Sequence, residues 1–175
     1  MSQSIPSAPD WLELTVDGPN FRQVMGRYPT GVTVLTTIRA GQPVAMTANS
    51  IMSVSVDPLL MLACVERAAR FHEAVLAAGV WGVSILPARA QPSAAWLATR
   101  GRPTSGMLDD VPHRIAPLTG VALLDESLGA MECRTAAVYP GGDHSIIVAD
   151  VLSLHLAQDE EPALLYHRGR YGVAP

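Results

Sequence analysis

Short stretches in which hydrophobic and polar residues alternate run along most of the chain, and they predict a mainly β fold. Residues 31–38 alternate β-branched with other side chains and end at a turn through residues 40–43. A period of two is typical of a strand with one face toward a core. Further strands are predicted at residues 44–50, 59–65, 80–86, 121–124, 130–138, 145–156 and 164–171. Because helices do not separate these strands regularly, the pattern favours a closed or half-closed barrel over a parallel sheet.

Three shorter segments predict helices. The first has Asp17 as its N-terminal cap and Pro19 in its first turn, and it ends before Pro29. An aspartate at this position accepts a hydrogen bond from a free backbone amide, and proline is tolerated in the first turn of a helix. The second helix is predicted at residues 70–78, followed by a glycine stop, and the third at about residues 92–99.

The chain is predicted to form one domain preceded by an arm. Residues 1–16 are predicted to be a flexible N-terminal arm, and residues 17–175 contain all of the predicted strands and helices. Residues 100–118 have prolines and glycines near their ends and a charged middle, which predicts a long surface loop.

The composition excludes several classes of protein. All 12 basic residues are arginines, so the chain has neither a Schiff-base lysine nor the lysine of a P-loop. A net charge of −4 with scattered arginines gives no support for a nucleic-acid partner. The longest apolar run, residues 59–65, is too short to cross a bilayer, and no membrane partner is predicted. With 49% hydrophobic and 16% charged residues, the surface is more easily explained if part of it is buried in an oligomer.

Two cysteines indicate the compartment. Cys64 and Cys133 are far apart in the sequence and do not form a CxxC motif. They are predicted to be buried free thiols, which persist in a reducing environment. The polar start of the chain lacks the basic-then-apolar pattern of a signal peptide. We therefore expect a cytoplasmic protein.

Hydroxyl and amide side chains cluster in residues 46–55. The polar members of this segment are Thr47, Asn49, Ser50, Ser53 and Ser55. A turn through residues 48–50 would direct backbone N–H groups and hydroxyls at one spot, and such a cluster can hold a phosphate without lysine. The same residues also fit a Ser/Thr-rich edge strand followed by a loop, and composition alone does not separate the two.

Three other segments and one arginine pair could contact a ligand. Residues 28–32 include a glycine at a helix-to-strand junction, which permits close approach of a ligand but also fits a tight turn. Residues 141–144 place an Asp-His pair at a hairpin tip, and residues 166–171 carry arginines near the C-terminus. Arg67 and Arg70 precede the second predicted helix, where they could bind an anion or simply be surface charges.

Several common catalytic motifs are absent from the sequence. It contains no GxSxG, no HExxH and no GxGxxG after a strand, which excludes a nucleophile elbow, a zincin site and a Rossmann dinucleotide site. The five histidines do not have metal-ligand spacing, so no metal is predicted.

Taken in order, these segments resemble the flavin reductase family, the short-chain NAD(P)H:flavin oxidoreductase components of two-component flavin-dependent monooxygenases. One such motif is weakly specific, whereas the ordered set, from about residue 20 to 172, covers nearly the whole chain. The matching segments are Phe21 with Arg22, residues 28–34, 46–50 and 53–58, Cys64 with Val65, His72, Glu132 with Cys133, residues 142–144 and residues 166–171.

The resemblance implies a fold, a reaction and partners. The fold would be a split β-barrel that forms a homodimer, with FMN or FAD in each cleft near the subunit interface. The reaction would be NAD(P)H-dependent hydride transfer to flavin N5, and a partner flavin-dependent monooxygenase would receive the reduced flavin. NADH is expected rather than NADPH, because no basic cluster is assigned to a 2′-phosphate. Since the flavin supplies the redox chemistry, the lack of an acid–base dyad is expected.

The resemblance also implies roles for individual residues. None is expected to be an essential catalyst, although His144 would help to orient the nicotinamide carboxamide. The nicotinamide site would consist of Asp143, His144, Arg168 and Tyr171. The flavin and its phosphate would be bound by Thr30, Gly31, Thr47, Ala48, Asn49, Ser50, Ser53, Val54, Ser55, Cys64, Arg67 and Arg70.

The chain departs from the family pattern at three places. Ile51 replaces a common aromatic residue, Leu59 replaces the second of two prolines, and Ala68 or Ala69 replaces a hydroxyl before the second helix. The last change removes an expected phosphate contact, and our hypothesis is that Arg67 or Arg70 compensates for it.

Two other interpretations fit parts of the sequence. One is a flavin-binding split-barrel protein, an electron carrier or flavin store, that does not turn over nicotinamide. The other is an enzyme resembling pyridoxamine-phosphate oxidases on a related barrel. The second is disfavoured because its phosphate-binding basic residues are not recognisable here.

Overall fold

The computed structural model describes residues 11–103 and 105–174, and within them the prediction of a mainly β fold is confirmed. Every strand pairs antiparallel with its neighbours. The helices are α1 (Gly18–Met25), α2 (Arg70–Ala78) and α3 (Gln91–Ala98), the last preceded by a 3₁₀ turn at Ala88–Ala90. The strands are β1 (Thr30–Gly31), β2 (Thr33–Arg39), β3 (Gln42–Ala48), β4 (Ile51–Val56), β5 (Leu59–Glu66), β6 (Val80–Ile85), β7 (His113–Ile115), β8 (Ala122–Leu124), β9 (Gly129–Gly141), β10 (His144–Leu156), β11 (Leu164–His167) and β12 (Arg170–Val173).

Seven of these strands form one sheet in the order β3-β2-β6-β9-β10-β5-β4. Its two edge strands, β3 and β4, are consecutive in the chain and are separated only by Asn49 and Ser50. The sheet must therefore curl until its edges meet at these two residues, which we call the corner. Smaller sheets are formed by β1-β11-β12 and by β7-β8.

The concave side of the curled sheet contains one hydrophobic cluster. Alternate residues of β5 point into it, as expected for a strand buried on one face, and its central members include Leu35, Trp81 and Ile147. Phe71 and Val75 on α2 belong to the same cluster, so this helix covers part of the interior. The apolar alternation in the sequence is thus used to fill the inside of the sheet.

A second cluster lies on the outer side of β2 and β3. Val34 and Leu35, adjacent in β2, are both completely buried but belong to different clusters, so this strand is covered on both faces. The outer cover consists of α3, through Ala94 and Leu97, and of the segment that contains Met107. Consequently β3, although an edge strand, has its outer face enclosed.

Helix α1 begins as the sequence predicts. The Asp17 side chain accepts a hydrogen bond from the Asn20 amide at 2.9 Å. The helix ends at Met25, four residues before Pro29, and buries no side chain. Its apolar residue Phe21 is 67% exposed, so α1 presents an apolar face to solvent in the single chain.

The structure differs from the sequence prediction in three places. Residues 100–118 are not simply a surface loop, because Met107 and Leu108 are buried in the outer cluster and β7 lies within the range. The predicted strand at residues 164–171 is a hairpin, because Arg168 has φ 51° and turns the chain back on itself. The strand β4 was not among the strands predicted from the alternation, and only the alternative of an edge strand within residues 46–55 covered part of it. It buries little of either face, although Ser53 to Val56 alternate polar and apolar side chains.

Residues 1–10 of the predicted N-terminal arm lie outside the described residues. Residues 11–16 are exposed and form neither helix nor strand. Within the described part of the chain, no helix is long and apolar enough to cross a membrane.

A buried carboxylate fixes the turn between β7 and β8. Glu132 on β9 is 0% exposed. Its Oε2 accepts hydrogen bonds from the Leu118 amide at 3.0 Å and from the Thr119 amide and hydroxyl, both at 2.8 Å. Its Oε1 accepts one from the Ser153 hydroxyl at 2.9 Å. Burial raises the pKa of Glu132, but these hydrogen bonds outweigh it and hold the pKa below its usual value.

We expect Glu132→Ala to lower the free energy of unfolding by about 3 kcal/mol at neutral pH, because it removes a buried carboxylate that accepts four hydrogen bonds and leaves a cavity in its place. Glu73→Ala is the control. Glu73 is an exposed residue of α2 whose ion pair with Arg39 spans 3.2 Å, and its loss should cost less than about 0.5 kcal/mol. Urea denaturation measures both.

The contribution of Glu132 should depend on pH in one direction. Because its pKa is lower in the folded chain than in the unfolded chain, its stabilisation is fully present above the unfolded pKa of about 4.3 and disappears as the pH falls through the folded pKa. The difference between the natural chain and Glu132→Ala should therefore shrink in acid. A difference that stays constant down to about pH 3 would contradict this account.

Candidate functional site

The corner between β3 and β4 forms the wall of a cavity of about 560 Å³, which we call the corner cavity. Its polar lining comes from Thr30, Gly31, Asn49, Ser50 and Cys64. The Asn49 side-chain amide donates to the Thr30 hydroxyl at 3.0 Å, and the Ser50 hydroxyl donates to the Cys64 carbonyl at 2.7 Å. These bonds tie β1, the corner and β5 together around the opening.

Gly31 leaves space in the corner cavity. A Cβ atom built on this glycine would have nothing within 4 Å. The residue is exposed and has no positive φ that would require glycine. The backbone at this position is therefore open to close approach by a flat group.

A second cavity of about 380 Å³, the hairpin cavity, adjoins the corner cavity and shares Tyr28, Thr30 and Asn49 with it. Its other side is formed by Tyr166 and Arg168 of the β11–β12 hairpin. The Arg168 amide donates to the Gly26 carbonyl at 2.9 Å, which anchors the hairpin tip to the end of α1. The Tyr166 and Tyr171 rings pack edge to face with centroids 5.5 Å apart.

A third cavity of about 400 Å³, the arginine cavity, lies beyond Thr47. Its charged lining residues are Glu66, Arg70, Arg100 and Arg102. A shallower depression lined by Tyr166, Gly169, Tyr171, Ala98 and Thr99 shares residues with the hairpin cavity on one side and with the arginine cavity on the other. Together these cavities form one groove from the corner to the arginines.

Hydrogen bonds and charge organise the arginine cavity. The Thr47 hydroxyl donates to the Ala94 carbonyl at 2.6 Å, so only its lone pairs remain for another partner. Arg102 donates to the carbonyls of Thr99, at 2.7 Å, and Ala45. Burial lowers the pKa of Arg102, and the positive charge of Arg70 lowers it further. Arg100 forms an ion pair with Glu66 at 3.2 Å.

The structure brings together many of the residues that the sequence singled out. Those that line the groove are Thr30, Gly31, Thr47, Asn49, Ser50, Cys64, Arg70, Arg168 and Tyr171. Ala48 is buried next to the corner. Ser53, Val54 and Ser55 lie on β4 outside the groove, at a β-bulge. Arg67 is also outside it, although Arg70 is not.

The Asp143–His144 pair lies outside the groove of the single chain. His144 Nδ1 is 2.7 Å from Asp143 Oδ1, and Asp143 is exposed whereas His144 is half-buried. The hydrogen bond with His144 and its charge lower the pKa of Asp143. The Arg67 amide donates to the Asp143 carbonyl at 2.9 Å, which places the pair beside the end of β5.

Two groove residues were missed by reasoning from the sequence. Arg100 and Arg102 fall in the range predicted to be a surface loop, and only the fold carries them back to β3 and Glu66. The Arg-Gly-Arg sequence directly after a helix was the available signal. Among the described residues, no group of three or more His, Cys, Asp or Glu side chains could hold a metal ion.

The groove can bind and orient a ligand rather than exchange protons with it. Apolar side chains such as Ile51 and Leu62, together with neutral hydroxyl and amide groups, line its corner end, and guanidinium groups line the other end. Neutral donors and acceptors suit a polar heterocycle, whereas arginines suit phosphate. A ligand with a flat ring at one end and a phosphate at the other would match this arrangement.

Comparison with known proteins gives the same family across the described fold. The family described as "Flavin reductase like domain" matches residues 25–175. The NADH-dependent FMN reductase AsuE2 of Streptomyces nodosus subsp. asukaensis is 37% identical over 86% of this chain and 82% of that protein. HsaB of Rhodococcus jostii, the reductase subunit of a flavin-dependent monooxygenase, is 34% identical over 91% of this chain and 80% of its own length. The structure of the NADH:FAD oxidoreductase SgcE6 of Streptomyces globisporus superposes with a TM-score of 0.87 at 32% identity, covering 96% of this chain and all of that one.

Proposed function

The chain belongs to the flavin reductase family, and from that premise we propose that it is an enzyme that reduces FMN or FAD with NADH. The observation that carries the proposal is the corner cavity. It joins Thr30 and Gly31 of β1 to Asn49 and Ser50 of the corner, within the range that matches the family. The relatives named above include NADH-dependent reductases of both FMN and FAD.

The residues of the groove fit a flavin. The open backbone at Gly31 accommodates a flat ring, and the Asn49 amide has a second proton to donate to a ring carbonyl. The Ser50 hydroxyl, whose proton goes to the Cys64 carbonyl, can accept from a ring N–H. Arg70, near Thr47 in the arginine cavity, would hold the phosphate. This assignment supports the hypothesis that an arginine replaces the missing hydroxyl at Ala68 or Ala69, and it favours Arg70 over Arg67.

The protein's part in the reaction is to position two ligands. A bound flavin would supply the redox chemistry of the hydride transfer from the nicotinamide. Thr30, Asn49 and Ser50 would orient the ring, while Tyr166 and Arg168 of the hairpin would cover the adjoining space from water. Correct placement of the two reacting groups would supply the acceleration, so no acid–base dyad is required.

We also propose a split β-barrel that forms a homodimer. The edges of the seven-stranded sheet meet only at the corner, which supports a barrel that is open between β3 and β4. Apolar side chains remain exposed on α1 and on β4, where Met52 and Val56 are 62% and 81% exposed. A second copy of the chain would bury these faces. A dimer would also account for Asp143, His144 and residues 53–55 lying outside the groove of one chain, because the partner's groove could receive them.

The product of the reaction would pass to another enzyme. HsaB is named as the reductase subunit of a flavin-dependent monooxygenase, and we propose the same kind of partner for this chain. The cytoplasmic location stays a prediction, supported by two free cysteines. Cys133 is completely buried as predicted, whereas Cys64 is only half-buried because it lines the corner cavity.

One alternative has a specific observation in its favour. Because the Asp143–His144 pair does not line the groove of the single chain, the protein could bind flavin as a carrier or store without oxidising nicotinamide. The assay described next separates the two functions.

We expect the purified protein to oxidise NADH in the presence of FMN or FAD, measured as the fall in NADH absorbance. Parallel assays with NADPH and with each flavin establish the preferences. Flavin binding without oxidation of either nicotinamide would favour the carrier, and the absence of both binding and oxidation would contradict the family function.

Replacing Arg70 with alanine should weaken FMN binding by about three- to tenfold, because it removes a charge-assisted hydrogen bond to the phosphate. Arg67→Ala is the matched control, since Arg67 is exposed on the same connection but does not line the arginine cavity. Its effect should stay below about twofold. Quenching of flavin fluorescence measures both dissociation constants. Equal effects of the two substitutions would refute the assignment of Arg70.

The homodimer predicts a molar mass in solution of twice the chain mass of 18.6 kDa, measured by light scattering after gel filtration. Val56→Asp, which places a charge on the exposed face of β4, should shift the protein toward the monomer. Val173→Asp is the control, because Val173 is also exposed, at 57%, but lies on β12. A natural chain that elutes as a monomer would disprove the dimer.

A further inference from the structure

The arginine cavity carries more positive charge than one flavin phosphate contact accounts for. Arg70, Arg100 and Arg102 line it together with a single carboxylate, that of Glu66. Arg70 and Arg102 are close enough for the charge of Arg70 to lower the pKa of Arg102. Because like charges held together are costly, an anion bound among them would stabilise the cavity.

The start of α2 adds neutral donors to the same cavity. Ala68, Ala69, Arg70 and Phe71 all line it. No side chain of the described residues caps the N-terminus of this helix. Its free backbone amides and the positive end of its dipole therefore reinforce the arginines as partners for an anion.

The rest of the cavity is apolar and too large for a phosphate alone. The apolar lining includes Val44, Met46, Phe71 and Leu97. The volume of about 400 Å³ is many times the ~30 Å³ that a water molecule occupies, and it falls in the range of small-molecule sites. Phosphate bound at the arginines would leave these side chains uncovered, whereas a purine ring would cover them.

The arginine cavity also lies at a suitable distance from the corner. Thr47 lines the arginine cavity, and Ser50 lines the corner cavity. Three residues span at most about 10 Å at about 3.3 Å per residue, so the chain that joins a flavin ring to its phosphate can reach from one cavity to the other. A group that continues past that phosphate would enter the arginine cavity.

We propose that the arginine cavity is a site for an adenosine 5′-phosphate group, with Arg100 as the residue that recognises its phosphate. The proposal rests on the proposed function and deepens it, because both FAD and NADH contain this group whereas FMN does not. Arg100 in the unliganded chain is paired with Glu66, and its side chain is 90% exposed. It can exchange this carboxylate for a phosphate without disturbing the core, unlike the half-buried Arg102.

The test uses Arg100→Gln, with Arg39→Gln as the matched control. Arg39 forms an exposed ion pair with Glu73 over the same distance of 3.2 Å but does not line the cavity. Dissociation constants are measured for FAD and FMN. With FMN as the flavin, KM is measured for NADH and for reduced nicotinamide mononucleotide, which lacks the adenosine phosphate. The control should change none of these by more than about twofold.

The results show whether FAD or NADH supplies the adenosine 5′-phosphate group. If FAD supplies it, Arg100→Gln should weaken FAD binding about fivefold and FMN binding less than about twofold. If NADH supplies it, the KM for NADH should rise by a similar factor while that for the mononucleotide stays constant. Equal changes for the ligands with and without the group would overturn the proposal, as would no change at all.

A second substitution predicts the opposite sign. Glu66→Gln removes the carboxylate that competes for Arg100, so binding of FAD, or the KM for NADH, should improve by about two- to threefold. Weaker binding in this variant would overturn the exchange of partners.

The flavin-binding measurements do not require turnover. If Arg100→Gln weakens binding of FAD but not of FMN and the protein oxidises no NADH, the adenosine phosphate site is supported and the proposed function is contradicted. If the protein reduces flavin and Arg100→Gln changes nothing, the proposed function is supported and the adenosine phosphate site is contradicted. If the protein binds neither flavin, both are contradicted.

Discussion

The fold depends on the requirement that a curled sheet must bring its two edges together. Strands β3 and β4 are neighbours in the chain but lie at opposite edges of seven strands, so Asn49 and Ser50 must bridge them. The Ser50 carbonyl accepts from the Cys64 amide at 2.8 Å, which extends the pairing of β5 into this bridge. Because the bridge has only two residues, its side chains and backbone groups are held in place before a ligand binds. The corner end of the candidate site is thus preorganised by the way in which the sheet closes.

The unpaired backbone groups of the edge strand β3 are covered at Ala45. An edge strand exposes backbone groups that can pair with other chains. Here the Ala45 amide lies 3.1 Å from the Met107 sulfur, and the Ala45 carbonyl accepts from Arg102. The segment after α3 therefore covers the edge with side chains instead of another strand. The same contacts bring Arg100 and Arg102 to the wall of the groove. The segment that protects the edge of β3 therefore also forms part of the arginine cavity.

Local sequence patterns could predict individual strands and helices but not the contacts between residues that are far apart in the chain. The alternation in β5 and the Asp17 cap of α1 correspond to features of the structure because each depends on neighbouring residues. The burial of Met107 depends on β3, about 60 residues earlier in the chain, and could not be recognised in a segment with a charged middle. The corner residues could be identified from their hydroxyl and amide groups, but their separation from Ser53 follows from the pairing of β4 with β5, which the local sequence does not specify.

The environment of Arg102 in the groove favours arginine over lysine. Arg102 lies half-buried with Arg70 nearby, an environment that lowers its pKa. A lysine there would have less margin, because burial and the neighbouring positive charge would lower its pKa from a usual value of about 10.4. Arginine begins above 12 and spreads its donors over a planar group, so Arg102 can hold the Thr99 and Ala45 carbonyls and remain charged. Arginines therefore keep the cavity positively charged near neutral pH, which would suit the proposed phosphate site.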